Sequence, residues 1–287
     1  MIRLGTRGSA LALAQAKLVA AALDDEVEIV TITTSGDRGE GINDKSRWTS
    51  TLERALLDGE IDLAVHSAKD VPGELADGTY IAAIPARQDP RDALCGFADF
   101  ASLGPGARVG TSSLRRAAQL RAARDDLEVV EVRGNVDTRL RKLGGGEVNA
   151  LVLAAAGLIR LGRESEIGGI LDLIPAPGQG ALIVQARVGD DRARTINDPI
   201  AERCVMSERA LASHLNATCN TPLGASAVPA SGHDVTLRAW VGLPDGSHWI
   251  SDELTGSAEE IGMRVAQRMI AAGASELLER AEEMAAA

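Results

Sequence analysis

Short apolar runs alternate with stretches of helical period along the first two thirds of the chain. Residues 2–6 read as a strand, 9–23 as a helix and 27–33 as a second strand, and the capping box Ser50-Thr51-Leu52-Glu53 opens a helix over 51–57. The next strand, 63–65, runs directly into His66-Ser67-Ala68-Lys69-Asp70-Val71-Pro72, where Pro72 forbids a helix and holds the preceding residue extended. Lys69 and Asp70 therefore stand at the carboxyl end of a strand, the usual place for ligands in open α/β sheets. A second unit of this kind begins near Pro85 and includes the apolar strand 150–155. It ends at Pro175-Ala176-Pro177-Gly178-Gln179-Gly180, whose prolines and glycines mark a hinge or crossover.

After a strand at 181–187 and a helix at 199–215 the texture changes. Residues 236–241 and 248–254 flank the turn-forming Leu243-Pro244-Asp245-Gly246-Ser247 as a hairpin, and a long helix from Ala258 closes the chain. The pattern predicts an α/β protein in which helices cover largely parallel sheets, followed by a small α+β domain.

Three strand-to-helix junctions carry arginines. Gly110-Thr111-Ser112-Ser113-Leu114-Arg115-Arg116 is one, Arg133-Gly134-Asn135-Val136-Asp137-Thr138-Arg139 the second, and Arg7-Gly8-Ser9 a third of the same kind. A cation at a helix N-terminus costs about 0.3–1 kcal/mol unless an anion offsets it. Repetition of the pattern in a chain of net charge −11 favours a bound anion over surface solvation. Backbone N–H groups, the hydroxyls of Thr111, Ser112 and Ser113, and guanidiniums able to grip carboxylate or phosphate would together hold it.

The acidic balance argues against nucleic acid as a partner. The aromatics Phe97, Phe100, Tyr80, Trp48, Trp240 and Trp249 are too few for a base-stacking platform, so the expected ligand is small and polyanionic. Cys95, Cys204 and Cys219 make neither a disulfide framework nor a Cys-x-x-Cys pair, which fits a reducing cytoplasm. His66, His214, His233 and His248 lack metal-ligand spacing, and no metal is expected. No apolar run approaches the ~20 residues of a membrane span, and Gln15 and Lys17 interrupt the apolar stretch after Arg3 and Arg7, so it reads as a helix and not as a signal peptide. Gly144-Gly145-Gly146 precedes Glu147 without opening a helix, so it forms neither a dinucleotide fingerprint nor a phosphate-binding loop. Lys69 and Asp70 read either as a surface ion pair or, given their position, as a carboxylate that stabilises a cation or shuttles a proton. Cys219, in the turn-rich Ala217-Thr218-Cys219-Asn220-Thr221-Pro222, is either a packing group or a reactive thiol.

Gly5-Thr6-Arg7-Gly8-Ser9, the segments His66 to Pro72 and Gly110 to Arg116, Val132-Arg133-Gly134-Asn135 and Gly178-Gln179-Gly180-Ala181 resemble, in order, the pattern of the porphobilinogen deaminase (hydroxymethylbilane synthase) family. Asp89-Pro90-Arg91-Asp92-Ala93 and Ala156-Gly157-Leu158-Ile159-Arg160-Leu161-Gly162 extend the match over almost the whole chain. The resemblance implies a transferase of tetrapyrrole biosynthesis. Such an enzyme joins four porphobilinogen molecules head to tail with loss of ammonia, builds the chain on a covalent dipyrromethane cofactor, and releases hydroxymethylbilane by hydrolysis.

It further implies a thioether from Cys219 to the cofactor, and Asp70 as the catalytic carboxylate that stabilises an azafulvene cation. By the same resemblance Arg7, Ser9, Ser67, Lys69, Thr111, Ser113, Arg115, Arg116, Arg133, Asn135, Arg139, Arg160 and Gln179 bind the acetate and propionate groups. The implied fold has two lobes like those of periplasmic binding proteins, lobe 1 at 1–84 and 181–198 and lobe 2 at 85–180, with a C-terminal domain at 199–287, in a cytoplasmic monomer. Two positions depart from the family. Ala217-Thr218 replace a pair of glycines, and a Gly-Lys-Gly-Leu-Phe-x-Lys-Glu segment reads here Asp44-Lys45-Ser46-Arg47-Trp48-Thr49-Ser50-Thr51, with Trp48 set for the place of the phenylalanine. The competing expectation is a two-lobed binding protein that clamps a polyanion without chemistry.

Overall fold

The computed structural model describes residues 1–34, 46–217 and 221–286, the side chains of residues 46, 47 and 286 excepted. In lobe 1, β1 (Ile2–Thr6), α1 (Ala10–Ala22), β2 (Val27–Thr31), α2 (Ser46–Leu57), β3 (Leu63–Ser67) and β4 (Thr79–Ala83) follow one another. Lobe 2 comprises β5 (Asp92–Cys95), β6 (Arg108–Thr111), α3 (Leu114–Ala123), β7 (Glu128–Glu131), α4 (Val136–Gly144), β8 (Ala150–Ala154), α5 (Ala155–Arg160) and β9 (Gly169–Leu171). The chain returns through β10 (Leu182–Arg187). It ends in α6 (Pro199–His214), β11 (Leu223–Pro229), β12 (Asp234–Gly242), β13 (Trp249–Ser257), α7 (Ile261–Ala271) and α8 (Ala274–Ala286).

The two lobes repeat one plan. Their five-stranded sheets run in the order β2-β1-β3-β10-β4 and β7-β6-β8-β5-β9. In each, three strands pair in parallel and a fourth runs against its neighbours: β10 is antiparallel to β3 and β4, and β5 to β8 and β9. These reversed strands are the ones entered from the connectors between lobes, so two crossings of the chain tie the lobes together.

Helices cover both faces of each sheet, and the central strands β3, β8 and β10 are buried on both sides. In lobe 1, Leu4, Val65 and Val184 pack with Ala16 and Val19 of α1, and Ala64 packs with Leu52 and Leu56 of α2. Burial on α1 falls at Ala12, Gln15, Ala16 and Val19, the spacing of a single helix face. The third domain lays α6, α7 and α8 on an antiparallel sheet in the order β11-β12-β13, around Leu211, Leu237 and Val265.

Several sequence expectations are corrected. The second helix starts at Ser46, ahead of the expected capping box, and Glu53 is buried instead of capping. Its carboxylate accepts from the Ala76 N–H (3.2 Å) and the Gln185 side chain (3.0 Å). The closing helix is two helices broken at Ala272 and Gly273, where Gly273 takes a φ of 97°.

One carboxylate joins the domains. Glu208 of α6 is fully buried and accepts from both terminal nitrogens of Arg87 (2.6 and 3.1 Å), from the Gly178 N–H (2.6 Å) and from the Ala227 N–H (2.7 Å). Arg87 and Gly178 lie on the two connectors and Ala227 on β11, so a single side chain fixes the third domain against both crossings. On the lobe 2 side, Trp240 packs with Ala118 and Ile174, and Arg121 donates to the Pro244 carbonyl at the hairpin tip (2.6 Å).

Candidate functional site

Three helix N-termini meet at one cavity. Ser9 caps α1, accepting from the Ala12 N–H at 3.2 Å, Ser113 caps α3 and accepts from Arg116 at 3.4 Å, and Asn135 caps α4 and accepts from Thr138 at 2.9 Å. All three line a cleft of about 1090 Å³ between the lobes. Their side-chain oxygens accept from the helix, which leaves the serine O–H groups and the Asn135 amide N–H to donate into the cleft. Among the described residues the lining carries six cations (Arg7, Lys69, Arg115, Arg116, Arg133 and Arg139) against the carboxylates of Asp70, Glu131 and Asp137. In so acidic a chain this is a local reversal of sign, which attracts polyanions.

The cations differ in what they have left to offer. Arg115 and Arg116 are 4% and 5% exposed, and both turn onto the fully buried Asp92. Arg115 Nη1 donates to its Oδ2 at 2.8 Å and Arg116 Nε to its Oδ1 at 2.9 Å. Burial alone would raise the Asp92 pKa, but the two guanidiniums outweigh it and hold the carboxyl well below its ordinary range. Gln179 completes this knot, donating to Asp92 Oδ1 (2.8 Å) and the Pro90 carbonyl (2.7 Å) and accepting from Arg116 Nη2 (3.3 Å). The anion expected at the start of α3 is thus supplied, for these two guanidiniums, from within the protein. An acid inside an apolar strand at Asp92 was the only sequence signal for it.

Other expected residues also brace the structure. Thr111 is buried, accepts from the Ser113 N–H at 3.2 Å, and does not line the cleft. Arg160 donates to the Gly180 carbonyl at 2.7 Å on the return crossover, and burial lowers its pKa to about 10. Ser67 exchanges hydrogen bonds with Gln15 of α1 (2.9 and 3.3 Å) and lines a side chamber of the cleft. Arg133 is exposed and paired with Glu131 at 2.6 Å. Arg139 donates to the Gly134 carbonyl at 2.7 Å and has no carboxylate partner among the described residues; burial, with Arg116 nearby, lowers its pKa. Arg7 stacks on Trp48, its guanidinium carbon 3.9 Å from a ring centre of the indole.

Asp70 ends a one-turn helix that follows β3 directly. The turn is held from three sides. Ala68 N–H donates to the Ala181 carbonyl at 3.0 Å, Gly178 (φ 75°) packs so close to Ala68 that a side chain there would collide, and Arg209 of α6 donates to the carbonyls of Val71, Pro72 and Gly73. A strand end braced in this way presents Lys69 and Asp70 to the cleft, and neither side chain has a hydrogen-bond partner among the described residues.

Burial and then the Arg116 guanidinium pull the Lys69 amine down to about 8, against the opposing effect of Asp70. At pH 8 roughly half of such an amine is neutral, against under about 1% for an ordinary lysine. Brief acetylation at pH 8 with limiting reagent is therefore expected to modify Lys69 before the exposed Lys17, as read by peptide mass mapping. Preferential labelling of Lys17 would contradict the lowered pKa.

Cys219 lies outside the described residues, as does most of the segment before Trp48. The described residues on either side of it, Ala217 and Thr221, both line the cleft. Cys95 and Cys204 are buried free thiols, Cys95 pushed up to about 12 by burial, and neither is suited to react.

The chain matches the family described as "Porphobilinogen deaminase, dipyromethane cofactor binding domain" over residues 2–195, and "Porphobilinogen deaminase, C-terminal domain" over residues 202–271. The porphobilinogen deaminase of Rubrobacter xylanophilus is 49% identical over 292 aligned residues, covering 96% of this chain and 95% of its own length. That of Thermus thermophilus is 44% identical over 295 residues, covering 97% and 98%. Among solved structures, the methionine-binding protein MetQ aligns with 74% of this chain and 93% of its own at 14% identity, with a TM-score of 0.42.

Proposed function

The chain belongs to the porphobilinogen deaminase family, and from that premise we propose how its cleft carries out the reaction. The activity is that of a hydroxymethylbilane synthase, a transferase that condenses four porphobilinogen molecules with loss of ammonia on a dipyrromethane cofactor; a binder without chemistry is not favoured. The placement of Ala217 and Thr221 on the lining carries the assignment of Cys219 as the thioether anchor. The donor set suits the group, because each pyrrole brings two carboxylates and the cleft offers cations and helix N-termini. When bound, the dipyrromethane supplies the starting pyrrole from which the product chain is extended.

Arg7, Lys69, Arg133 and Arg139, with the hydroxyls of Ser9 and Ser113 and the amide of Asn135, bind the acetate and propionate groups. Arg115, Arg116 and Gln179, locked on Asp92, give the far wall its shape and positive field, while Thr111, Ser67 and Arg160 hold the loops that carry these donors. Asp70 acts on the substrate. As the aminomethyl ammonium departs as neutral ammonia with its bonding electrons, positive charge stays on the pyrrole, and the nearby carboxylate stabilises it and holds the ring N–H.

The sheet memberships support lobe 1 at 1–84 with 181–198, lobe 2 at 85–180 and a third domain at 199–287. No described helix is long and apolar enough to cross a membrane. We further propose a cytoplasmic monomer, the cytoplasmic part supported by the buried free thiols Cys95 and Cys204. Intact-mass measurement of the purified protein, before and after incubation with porphobilinogen, is expected to show two linked pyrroles beyond the 29.9 kDa chain. The adduct should map to the peptide containing Cys219; an unmodified chain in both samples would overturn the assignment.

A further inference from the structure

Behind Asp70 the cleft continues into a side chamber of about 20 Å³. Arg7, Trp48 and Asp70 line both spaces, and the chamber is closed by Thr49, Gln15, His66 and Ser67. Its size admits one water molecule. Two of its walls carry polar atoms that find no hydrogen-bond partner among the described residues, the His66 ring lying also against the Gln185 side chain. Thr49 Oγ1 and His66 Nε2 are buried atoms without a hydrogen-bond partner, on side chains 1% and 5% exposed. A buried hydroxyl or ring nitrogen in that condition is costly, and proteins seldom retain one unless a water satisfies it.

We propose that Thr49 and His66 hold a single water in this chamber, hydrogen-bonded on its cleft side to the Asp70 carboxylate, and that both are positioning residues for Asp70. The three groups give the water three partners, the usual number for a buried molecule. Burial, against the opposing effect of the Gln185 side chain and with Arg7 nearby, lowers the His66 pKa to about 4, so the ring is neutral near pH 7 and can offer the water either a donor or an acceptor. The other two walls lie close at hand, since Thr49 stands in the first turn of α2 and His66 one strand position before Ser67. A fixed water on the rear of the carboxylate holds its open face toward the substrate, which saves reorganisation when charge develops there. The role assigned to the water rests on the reading of Asp70 as the working carboxylate; the water site itself does not.

The test is a crystal structure of the substrate-free holoenzyme together with a Thr49 series. An ordered water within hydrogen-bonding distance of Thr49 Oγ1, His66 Nε2 and Asp70 is expected in the wild type and absent in Thr49→Val. Turnover (kcat) of porphobilinogen should fall about tenfold in Thr49→Val with KM unchanged, the loss of one hydrogen bond to a charged group, and Thr49→Ser should restore it to within about twofold. His66→Phe, which keeps the ring volume, should behave like Thr49→Val. The melting midpoint of Thr49→Val gives a readout independent of catalysis: a dry chamber makes the hydroxyl a pure penalty and its removal stabilising, whereas a wet one does not. A dry chamber in wild-type crystals that resolve single waters, a stabilised Thr49→Val, or full kcat in that variant would each overturn the proposal. Because density and melting are read without substrate, they separate this failure from that of the Asp70 reading, which the Asp70→Asn variant decides.

Discussion

Replacing Asp92 by alanine is expected to lower the stability of the protein by about 3–5 kcal/mol, because it leaves two buried guanidiniums without their carboxylate. Arg115 and Arg116 cannot simply swing out to water. Arg115 Nη1 also donates to the Ile174 carbonyl (2.8 Å) and Arg116 Nη1 to the Val152 carbonyl (3.0 Å), and both side chains are buried. In scanning calorimetry the midpoint should drop by roughly 10 °C, and a change within 2 °C would show that the arginines find other partners. The pH dependence has a definite sign. The Asp92 carboxyl has its pKa depressed in the folded state, so its contribution is fully present above the unfolded carboxylate value of about 3.9 and is lost as pH falls below it toward the folded value. In the acid range, therefore, the gap between wild type and variant should shrink as pH falls. At neutral pH it should be constant.

Asp92 also marks the limit of what the sequence makes legible. Patterns confined to one element are readable: the strand over Ile2–Thr6, the Ser9 cap, and the β12 and β13 hairpin with its Pro244-Asp245-Gly246 turn all follow from local propensity and spacing. The three arginine junctions are readable for the same reason, and the structure brings all three to one cleft. Where a side chain points within the junction is not local information. Arg115 and Arg116 are consecutive with the cap and look like its donors to a ligand, yet their partner lies on β5, more than twenty positions earlier. The direction of β10 against β3 is hidden likewise, since an apolar strand buried on both faces reads alike in either orientation. Glu208 leaves no trace in the sequence at all. It sits among the polar positions of α6 and becomes a domain joint only because two connectors and β11 bring their N–H groups to it. Local physics thus sets the elements and their caps, whereas the internal pairing of charges depends on contacts distant in sequence.

Replacing Asp70 by asparagine should leave the fold and the covalent adduct intact and reduce porphobilinogen consumption by up to about a thousandfold. The carboxylate takes part in no ion pair or hydrogen bond among the described residues, so its removal breaks no internal contact that could destabilise the protein. Its effect falls instead on the charge that moves onto the ring when ammonia leaves. Opposite charges about 4 Å apart in a medium of effective dielectric about 20 attract by about 4 kcal/mol, and this sets the upper end of the effect, because in the ground state the charge already sits on the ammonium one methylene from the ring. An asparagine of the same shape keeps a carbonyl for the pyrrole N–H but not the charge, and 4 kcal/mol corresponds to about three powers of ten in rate. The substrate's acetate and propionate groups are held by other residues, so KM should change far less than kcat. Rapid-quench measurement of ammonia released in the first turnover checks this directly: a first-turnover rate within tenfold of wild type would remove Asp70 from the chemical step, and loss of the adduct mass would assign it to cofactor assembly instead.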